Sequence, residues 1–257
     1  MIHATAIIDP KAELDSTVQV GPYSVIGAHV QIDAGSQIGP HVVIKGPTRI
    51  GQHNKICQFA SLGEDPQDKK YGGEPETSLE IGDRNLIREY CTMNRGTVQG
   101  GGTTRIGHDN WIMAYTHFAH DCQVGNATVF ANGASLAGHV QIEDYVILGG
   151  FSLVHQFCVM GKYSFSGAGS VIFKDVPPFV TVWGNRAEAY GINKEGLKRH
   201  GFSSEIIHTL HQAYKIIYKQ NLTIEQAIKK LEELAQQCSE VNHLITFLQQ
   251  STRGIVR

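Results

Sequence analysis

Aliphatic residues recur at every sixth position over much of the chain. The series runs from Ile8 to Leu62, returns briefly at Ile81, and continues from Ile106 to Ile172, where only Ser166 is polar. A period of six matches neither the 3.6-residue helix nor the two-residue alternation of a long strand. It indicates short strands joined by regular turns, because three such units close one 18-residue triangular coil with the aliphatic side chains inside.

A second series of short residues has the same period. It stands four places after each aliphatic residue, as in Val18, Ser24 and Ser36, and suits the crowded inner corner of a coil. Glycine often follows the aliphatic residue directly, as at Gly21 and Gly27, where a side chain would obstruct a tight turn. These patterns predict a mainly β fold, a parallel β-helix whose hand the period does not determine.

The repeat stops near residue 190. We predict a β-helix domain over residues 1–189, with polar or glycine-rich insertions at 64–80 and 99–105, and an α-helical domain over 190–257. Ser203 and Ser239 each precede apolar residues at helical spacing, and Thr223 with Gln226 forms a capping box. Because function is often carried by loops on a rigid scaffold, both insertions are candidate functional segments.

Composition narrows the functional classes. The chain has 22 basic and 24 acidic residues and a formal charge of −2, which argues against a nucleic-acid-binding protein. Its apolar runs are too short to span a membrane, so we expect no stable membrane insertion. The 5 cysteines include no CxxC pair. This usage is typical of a reducing compartment, and we expect a cytoplasmic protein.

Four histidines of the central repeats, His117, His120, His139 and His155, supply candidate chemistry. At 18 residues per coil, His120, His139 and His155 belong to successive layers of one edge, and layers lie ~4.8 Å apart. A file of imidazoles along one edge suggests a cleft.

An imidazole titrates near neutrality and can remove a proton from a hydroxyl group. We therefore interpret His120 as a general base that the adjacent Asp121 orients. Gly138, one coil above His120, would offer its backbone N–H to an oxyanion. Two alternatives remain open: structural histidines on a solvated face, and three zinc ligands in a β-helix hydratase. We favour no metal, because His117 and His120 are expected to face different ways and because Lys69 and Lys70 suit a phosphate.

Eight segments, in order and spacing, extend these observations. They are QDKKYGGEP, RGTVQGGG, HFAHDC, AGHV, VHQFC, DVPP, EGLKRHGF and the hexapeptide repeats themselves. Together they resemble the UDP-N-acetylglucosamine O-acyltransferase family over essentially the whole chain. Other hexapeptide acyltransferases, with a coenzyme A donor or an amine acceptor, are the nearest alternative. A non-catalytic scaffold or an ice-binding surface is more distant, because the outward positions lack threonine ladders.

The resemblance implies a left-handed β-helix and a homotrimer with active sites between subunits. It also implies transfer of a 3-hydroxyacyl group from acyl carrier protein to the 3-hydroxyl of UDP-N-acetylglucosamine, the first step of lipid A biosynthesis. No cofactor is expected, since the acyl donor is carried on the phosphopantetheine of acyl carrier protein.

The resemblance also assigns residues by their match to the family's motifs. His120, Asp121 and Gly138 are the expected catalytic residues. The expected substrate-binding residues are Asp68, Lys70, Asn94, His117, His139, His155, Gln156, Asn193, Glu195 and Arg199.

Three positions depart from the better-known members of the family. Asn94 stands in place of histidine, and His200 stands in place of a second arginine after Arg199. Ala168 occupies the position whose side chain limits the acyl tail, and we expect a medium chain because alanine is intermediate between glycine and a bulky residue.

Overall fold

The computed structural model describes residues 1–74 and 76–257. Short parallel strands stack in three long sheets, which form the three faces of a left-handed β-helix. This confirms the predicted fold class and the hand that the resemblance implied.

Each sheet takes one strand from every coil. Sheet 1 contains β1 Ile7–Ile8, β4 Val25–Ile26, β7 Val43–Ile44, β10 Ser61–Glu64, β13 Thr92–Asn94, β16 His117–Phe118, β19 Ser135–Leu136, β22 Leu153–Val154 and β25 Val171–Ile172. Sheet 2 contains β2 Glu13–Leu14, β5 Val30–Ile32, β8 Thr48–Ile50, β11 Ser78–Ile81, β14 Thr103–Ile106, β17 Gln123–Val124, β20 Gln141–Ile142 and β23 Val159–Met160. Sheet 3 contains β3 Gln19–Val20, β6 Gln37–Ile38, β9 Lys55–Ile56, β12 Leu86–Ile87, β15 Trp111–Ile112, β18 Val129–Phe130, β21 Ile147–Leu148, β24 Phe165–Ser166, β26 Val180–Trp183 and β27 Glu188–Ile192.

The interior of the three-sided β-helix, here called the prism, is filled by the side chains of the six-residue series. Ile44, Ile50 and Leu62 are fully buried, and Phe118 packs against Phe130 with ring centroids 4.8 Å apart. The polar exception, Ser166, is also fully buried; its hydroxyl lies 2.8 Å from the hydroxyl of Ser152. The six-residue pattern therefore predicts the core correctly, because each residue of this series, here called a marker residue, points inward on its strand.

The corners require a backbone conformation that side chains usually avoid. The left-handed residue stands three places after the marker and is often aromatic, as at Tyr90 (φ 60°) and Tyr115 (φ 63°). Such a conformation costs roughly 1–2 kcal/mol per residue. Stacking offsets part of this cost, since the rings of Tyr90 and Tyr115 lie 4.9 Å apart and parallel. Gly21, directly after its marker residue, is instead required because the next coil approaches it closely. A Cβ there would lie 2.7 Å from the nitrogen of Pro40.

A buried amide ladder joins three coils at the corner between sheets 2 and 3. The side chain of Asn85 donates to Asn54 Oδ1 at 3.0 Å and to the carbonyl of Gly107 at 3.0 Å. Its own Oδ1 accepts from the backbone and side-chain nitrogens of Asn110, at 3.0 and 2.9 Å. The ladder satisfies polar groups that the prism takes out of water.

Both insertions leave the prism where sheet 1 passes into sheet 2, which we call the 1–2 edge. The first joins β10 to β11 and the second joins β13 to β14. Their limits differ from the predicted ones, because the predicted 64–80 and 99–105 include strand residues of β10, β11 and β14. The second insertion also contains a 3₁₀ turn, Val98–Gly100.

The C-terminal part contains four helices: α1 Lys194–Arg199, α2 Ser204–Lys219, α3 Ile224–Ala235 and α4 Val241–Gln250. Ser203 caps α2, and the capping box of Thr223 and Gln226 begins α3 as predicted. The predicted boundary at 189/190 falls within β27, and the division into domains stays a prediction. No helix among the described residues is long and apolar enough to cross a membrane.

We expect Asn85→Ala to lower the free energy of unfolding by about 3 kcal/mol, because it leaves the buried nitrogens of Asn110 and the carbonyl of Gly107 without partners. Chemical denaturation measures this effect. Gln52→Ala is the control, since the side chain of Gln52 is exposed. Equal stability of the two variants would show that the ladder does not stabilise the fold.

Candidate active site

His120 stands in the turn between β16 and β17, on the same 1–2 edge as both insertions. The next residue, Asp121, takes the left-handed corner conformation with φ 61°. This turn brings the two side chains together, and His120 Nδ1 lies 2.8 Å from Asp121 Oδ2. The imidazole is partly accessible, whereas the side chain of Asp121 is 1 % exposed. The structure thus gives a histidine oriented by a buried carboxylate.

Gly138 lies against the imidazole from the next coil. A Cβ at this position would stand 2.7 Å from His120 Cε1 and 2.8 Å from Nε2, so any side chain would displace the ring. The N–H of Gly138 has no hydrogen-bond partner within the described ranges 1–74 and 76–257. An N–H without a partner at this position can stabilise negative charge on a reacting oxygen.

These groups border a cleft of about 700 Å³. It brings together six of the predicted residues: Asp68, Lys70, His120, Gly138, His139 and Gln156. Lys70 and Asp68 come from the first insertion, so this insertion forms one wall of the cleft. The ring of His139 stacks on Phe157 with centroids 4.4 Å apart and forms part of the opposite wall.

Two imidazoles near the cleft are held toward their neutral form. Burial lowers the pKa of His139, while Asp121 and Asp68 oppose this effect. Burial also lowers the pKa of His117. His117 Nδ1 lies 2.7 Å from the hydroxyl of Thr92 on the outward face of sheet 1, and His117 does not line the cleft.

Other predicted residues lie outside this cleft. Asn94 is buried beneath the first insertion, where its amide donates to the carbonyl of Asp65 at 2.8 Å. His155 follows β22 on the 1–2 edge, with its Nδ1 3.4 Å from a guanidinium nitrogen of Arg253. Ala168 is exposed in the turn between β24 and β25, on the edge between sheets 3 and 1.

Three of the expected substrate-binding residues lie on a third edge. Asn193 caps α1 and donates to the carbonyl of Tyr163 at 3.0 Å, at the corner between sheets 2 and 3. Glu195 pairs with Lys198 at the surface, and Arg199 is exposed at the end of α1. One chain therefore does not bring these three residues to His120.

One group of side chains has atoms close enough to hold a metal among the described residues: His120, Asp121 and His139. Hydrogen bonds already occupy both oxygens of the carboxylate. Thr97 donates its N–H to Oδ1 at 2.8 Å and its hydroxyl to Oδ2 at 2.7 Å, and Oδ2 also contacts His120. A cation would have to displace these contacts, so the geometry suits an acid–base pair better than a metal centre.

The sequence analysis did not identify Thr97, Thr104 or Phe157. Thr97 and Thr104 belong to the second insertion and its following strand, and both contact Asp121. The repeat register does place the insertion on the edge that carries Asp121. It gives no information on which insertion residues would reach the carboxylate, because the insertion has no period.

Comparisons with known proteins match both the repeats of the β-helix and the C-terminal part of the chain. A family model described as "Udp N-acetylglucosamine O-acyltransferase; Domain 2" matches residues 175–256, and one described as "Bacterial transferase hexapeptide (six repeats)" matches residues 103–138. The acyl-[acyl-carrier-protein]--UDP-N-acetylglucosamine O-acyltransferase of Thiobacillus denitrificans is 60% identical over 256 residues, covering 100% of this chain and 99% of the relative.

Solved structures give the same result. LpxA from Acinetobacter baumannii is 53% identical with a TM-score of 0.97, covering 100% of this chain and 99% of the other. UDP-N-acetylglucosamine O-acyltransferase (LpxA) from Moraxella catarrhalis is 47% identical, also with a TM-score of 0.97 and the same coverage.

Cys122, beside the acid–base pair, is expected to be unreactive in the folded protein. Its side chain is fully buried, and burial raises the pKa of its thiol to about 12. Iodoacetamide at pH 8 should leave Cys122 unmodified while alkylating the half-buried Cys57, and denaturation should expose both; peptide mass spectrometry measures each site. Modification of Cys122 in the native protein as fast as Cys57 would contradict the burial.

Proposed function

Because the chain belongs to the UDP-N-acetylglucosamine O-acyltransferase family and is an acyltransferase, we propose that the 1–2 edge cleft is its active site. The reaction transfers a 3-hydroxyacyl chain from acyl carrier protein to the 3-hydroxyl of UDP-N-acetylglucosamine, the first step of lipid A biosynthesis. The observation that carries the assignment is the position of His120, oriented by Asp121 on one side and bordered by Gly138 on the other.

The proposed mechanism follows from the two ring nitrogens of His120. Nδ1 carries the proton donated to Asp121, which leaves the Nε2 lone pair free to accept the proton of the sugar hydroxyl. The resulting alkoxide oxygen attacks the thioester carbonyl, and the N–H of Gly138 stabilises the tetrahedral oxyanion. The protonated His120 then protonates the departing thiolate, so no covalent enzyme intermediate forms.

The cleft walls suit a sugar nucleotide. Asp68 offers a carboxylate to sugar hydroxyls, and Lys70 offers a cation to phosphate oxygens. His139 and Gln156 face them from the prism. We assign substrate contacts to these four residues. Asn94 acts through the first insertion, since its amide holds the Asp65 carbonyl at the base of that wall. No cofactor is required, because the carrier protein delivers an activated thioester.

The distribution of residues on the prism supports a homotrimer. The outward faces of sheets 1 and 3 carry exposed apolar residues among polar ones, including Val25 and Leu153 on sheet 1 and Trp111 on sheet 3. Sheet 2 instead presents charged residues such as Arg105 and Glu80, which form an ion pair. Two partly apolar faces beside one charged face suit a cyclic assembly in which sheet 1 of one subunit faces sheet 3 of the next.

In such an assembly the predicted substrate residues converge. The 1–2 edge of one subunit, with His120, faces the 2–3 edge of its neighbour across the cleft between them. That second edge carries α1 with Asn193, Glu195 and Arg199. We propose that the base and the diphosphate-binding Arg199 of each active site come from different subunits. His117 and His155, on sheet 1 and its 1–2 edge, then line the same intersubunit cleft.

Ala168 is proposed to limit the length of the acyl chain. It lies at the exposed turn on the edge between sheets 3 and 1, toward the centre of the proposed trimer. Its methyl group would admit a medium chain. We propose a cytoplasmic location for the reaction, since UDP-N-acetylglucosamine and acyl carrier protein are both soluble.

His120→Ala is expected to lower the rate of acyl transfer by several orders of magnitude, because no other group can carry out its proton transfer. Cys122→Ala should retain most of the activity, because the thiol is buried inside the coil. The assay incubates UDP-N-acetylglucosamine with a panel of 3-hydroxyacyl carrier proteins and measures the mass of the sugar nucleotide. Loss of transfer in Cys122→Ala with activity retained in His120→Ala would refute the mechanism.

Mixed trimers test the shared active site. His120→Ala and Arg199→Ala homotrimers should each have low activity, whereas subunits unfolded together and refolded as a mixture should recover a fraction of the wild-type rate. Recovery is expected because some interfaces then pair an intact His120 with an intact Arg199. Light scattering measures the trimer mass of each sample. A trimeric mixture without recovery would contradict the shared site, and a monomer would contradict the assembly.

A further inference from the structure

The carboxylate of Asp121 is held by more than its contact with His120. The backbone N–H of Thr97 donates to Oδ1 at 2.8 Å, and the Thr97 hydroxyl contacts Oδ2 at 2.7 Å. On the opposite side, the backbone N–H of Asp121 donates to Thr104 Oγ1 at 2.8 Å. Thr97, Thr104 and Asp121 are all buried, so water does not replace these contacts. We call Thr97, Gly100 and Thr104 the carboxylate clamp.

The direction of the Thr97 hydroxyl is determined by its neighbours. Thr97 caps the 3₁₀ turn, and its Oγ1 accepts from the N–H of Gly100 at 3.1 Å. A hydroxyl has one proton to donate, and the ionised carboxylate accepts only. The Thr97 proton therefore points at Asp121 Oδ2, and the 3₁₀ turn of the second insertion fixes this direction.

Gly100 shows how closely the insertion fits the carboxylate. A Cβ on Gly100 would stand 2.1 Å from Asp121 Cγ and 2.2 Å from Oδ2. The turn therefore closes directly over the carboxylate, and this position excludes every side chain. Such a fit is unnecessary for a tolerated surface insertion.

The carboxylate of Asp121 lies near two imidazoles. Asp121 Oδ2 lies 2.8 Å from His120 Nδ1 and 3.7 Å from His139 Nδ1. The two rings are perpendicular, with centroids 5.0 Å apart, so a small rotation of the carboxylate would exchange one partner for the other. Thr97 holds both oxygens in the orientation that favours His120.

We propose that Thr97 is a positioning residue for the base: it holds the Asp121 carboxylate toward His120 and away from His139, and thereby keeps the His120 Nε2 lone pair directed at the cleft. This inference rests on the proposed function and assigns to the second insertion the role of orienting the base. It predicts an effect on turnover without an effect on substrate affinity, because the hydroxyl of Thr97, although this residue borders the cleft, is bound to Asp121 and acts through it.

Thr97→Val tests the proposal, because valine has nearly the same shape and keeps the backbone N–H but lacks the hydroxyl proton. We expect kcat to fall about 10- to 100-fold, as for other residues that orient a functional side chain, with KM for UDP-N-acetylglucosamine unchanged. Thr97→Ser retains the hydroxyl and should stay within about threefold of wild type. Thr128→Val is the matched control: this buried threonine donates to Asn110 Oδ1 at 2.6 Å on another edge.

Two kinetic results would overturn the proposal. One is a Thr97→Val enzyme whose kcat stays within threefold of wild type. The other is a Thr97→Ser enzyme that loses as much activity as the valine variant, since the loss would then follow the shape of the side chain. Equal unfolding midpoints would show that Thr97→Val and Thr128→Val are equally stable. A difference in kcat between them would then report the orientation of Asp121 and His120.

A measurement without substrate separates this proposal from the proposed function. In histidine-labelled protein, wild type and Thr97→Ser should show a strongly downfield His120 Nδ1–H resonance, assigned by its loss in His120→Gln, and Thr97→Val should lack it. If wild type transfers no acyl group, the proposed function fails while this resonance still decides the role of Thr97. The same resonance in all three proteins would refute that role.

Discussion

The vertical register between coils is the constraint on which the rest of the structure depends. Over most of the prism, backbone hydrogen bonds join a strand to the strand 18 residues later, as where His117 pairs with Ser135 and Phe118 with Leu136. This register places Gly138 over His120 and His139 over Asp121. The geometry of the proposed active site is therefore set by main-chain pairing, and the side chains need only fill positions that the pairing has already aligned.

The two insertions interrupt the 18-residue spacing and make different contributions at one edge. The first forms a wall of the cleft and is fastened to the prism by Arg95, which pairs with Asp65, and by buried Asn94. The second contributes Thr97 and Gln99 to the lining of the cleft and also buries the carboxylate behind the proposed base. The scaffold tolerates both because the strands resume in register on sheet 2, where Leu79 pairs with Thr48 and with Thr104.

The sequence was sufficient for the periodic part of this arrangement. Ile44, Leu62 and Phe118 were predicted to be inside from their spacing, and the proximity of His120 and Gly138 followed from their separation of one coil. The proposed role of Thr97 did not follow, because insertion residues obey no period and their contacts depend on the loop conformation. That of Asn94, a residue of β13, did not follow because its partner, the carbonyl of Asp65, lies in the first insertion. The pattern also did not predict that Arg199 lies on another edge. This position depends on how the chain reverses direction at β27 and leads into α1.

The two ends of the prism are protected to different degrees. At the C-terminal end, β27 and the helices cover the last coils, and Asp175 binds the chain terminus through Ser251 and a bridge to Ile255. At the N-terminal end, Ile7 is exposed and Ile8 only half-buried. In a stack stabilised by nearest neighbours, fraying begins at the less protected end. Thermal loss of the first coils would therefore precede any disturbance of the coils that carry His120, and amide exchange should be fastest in the first thirty or so residues of the chain.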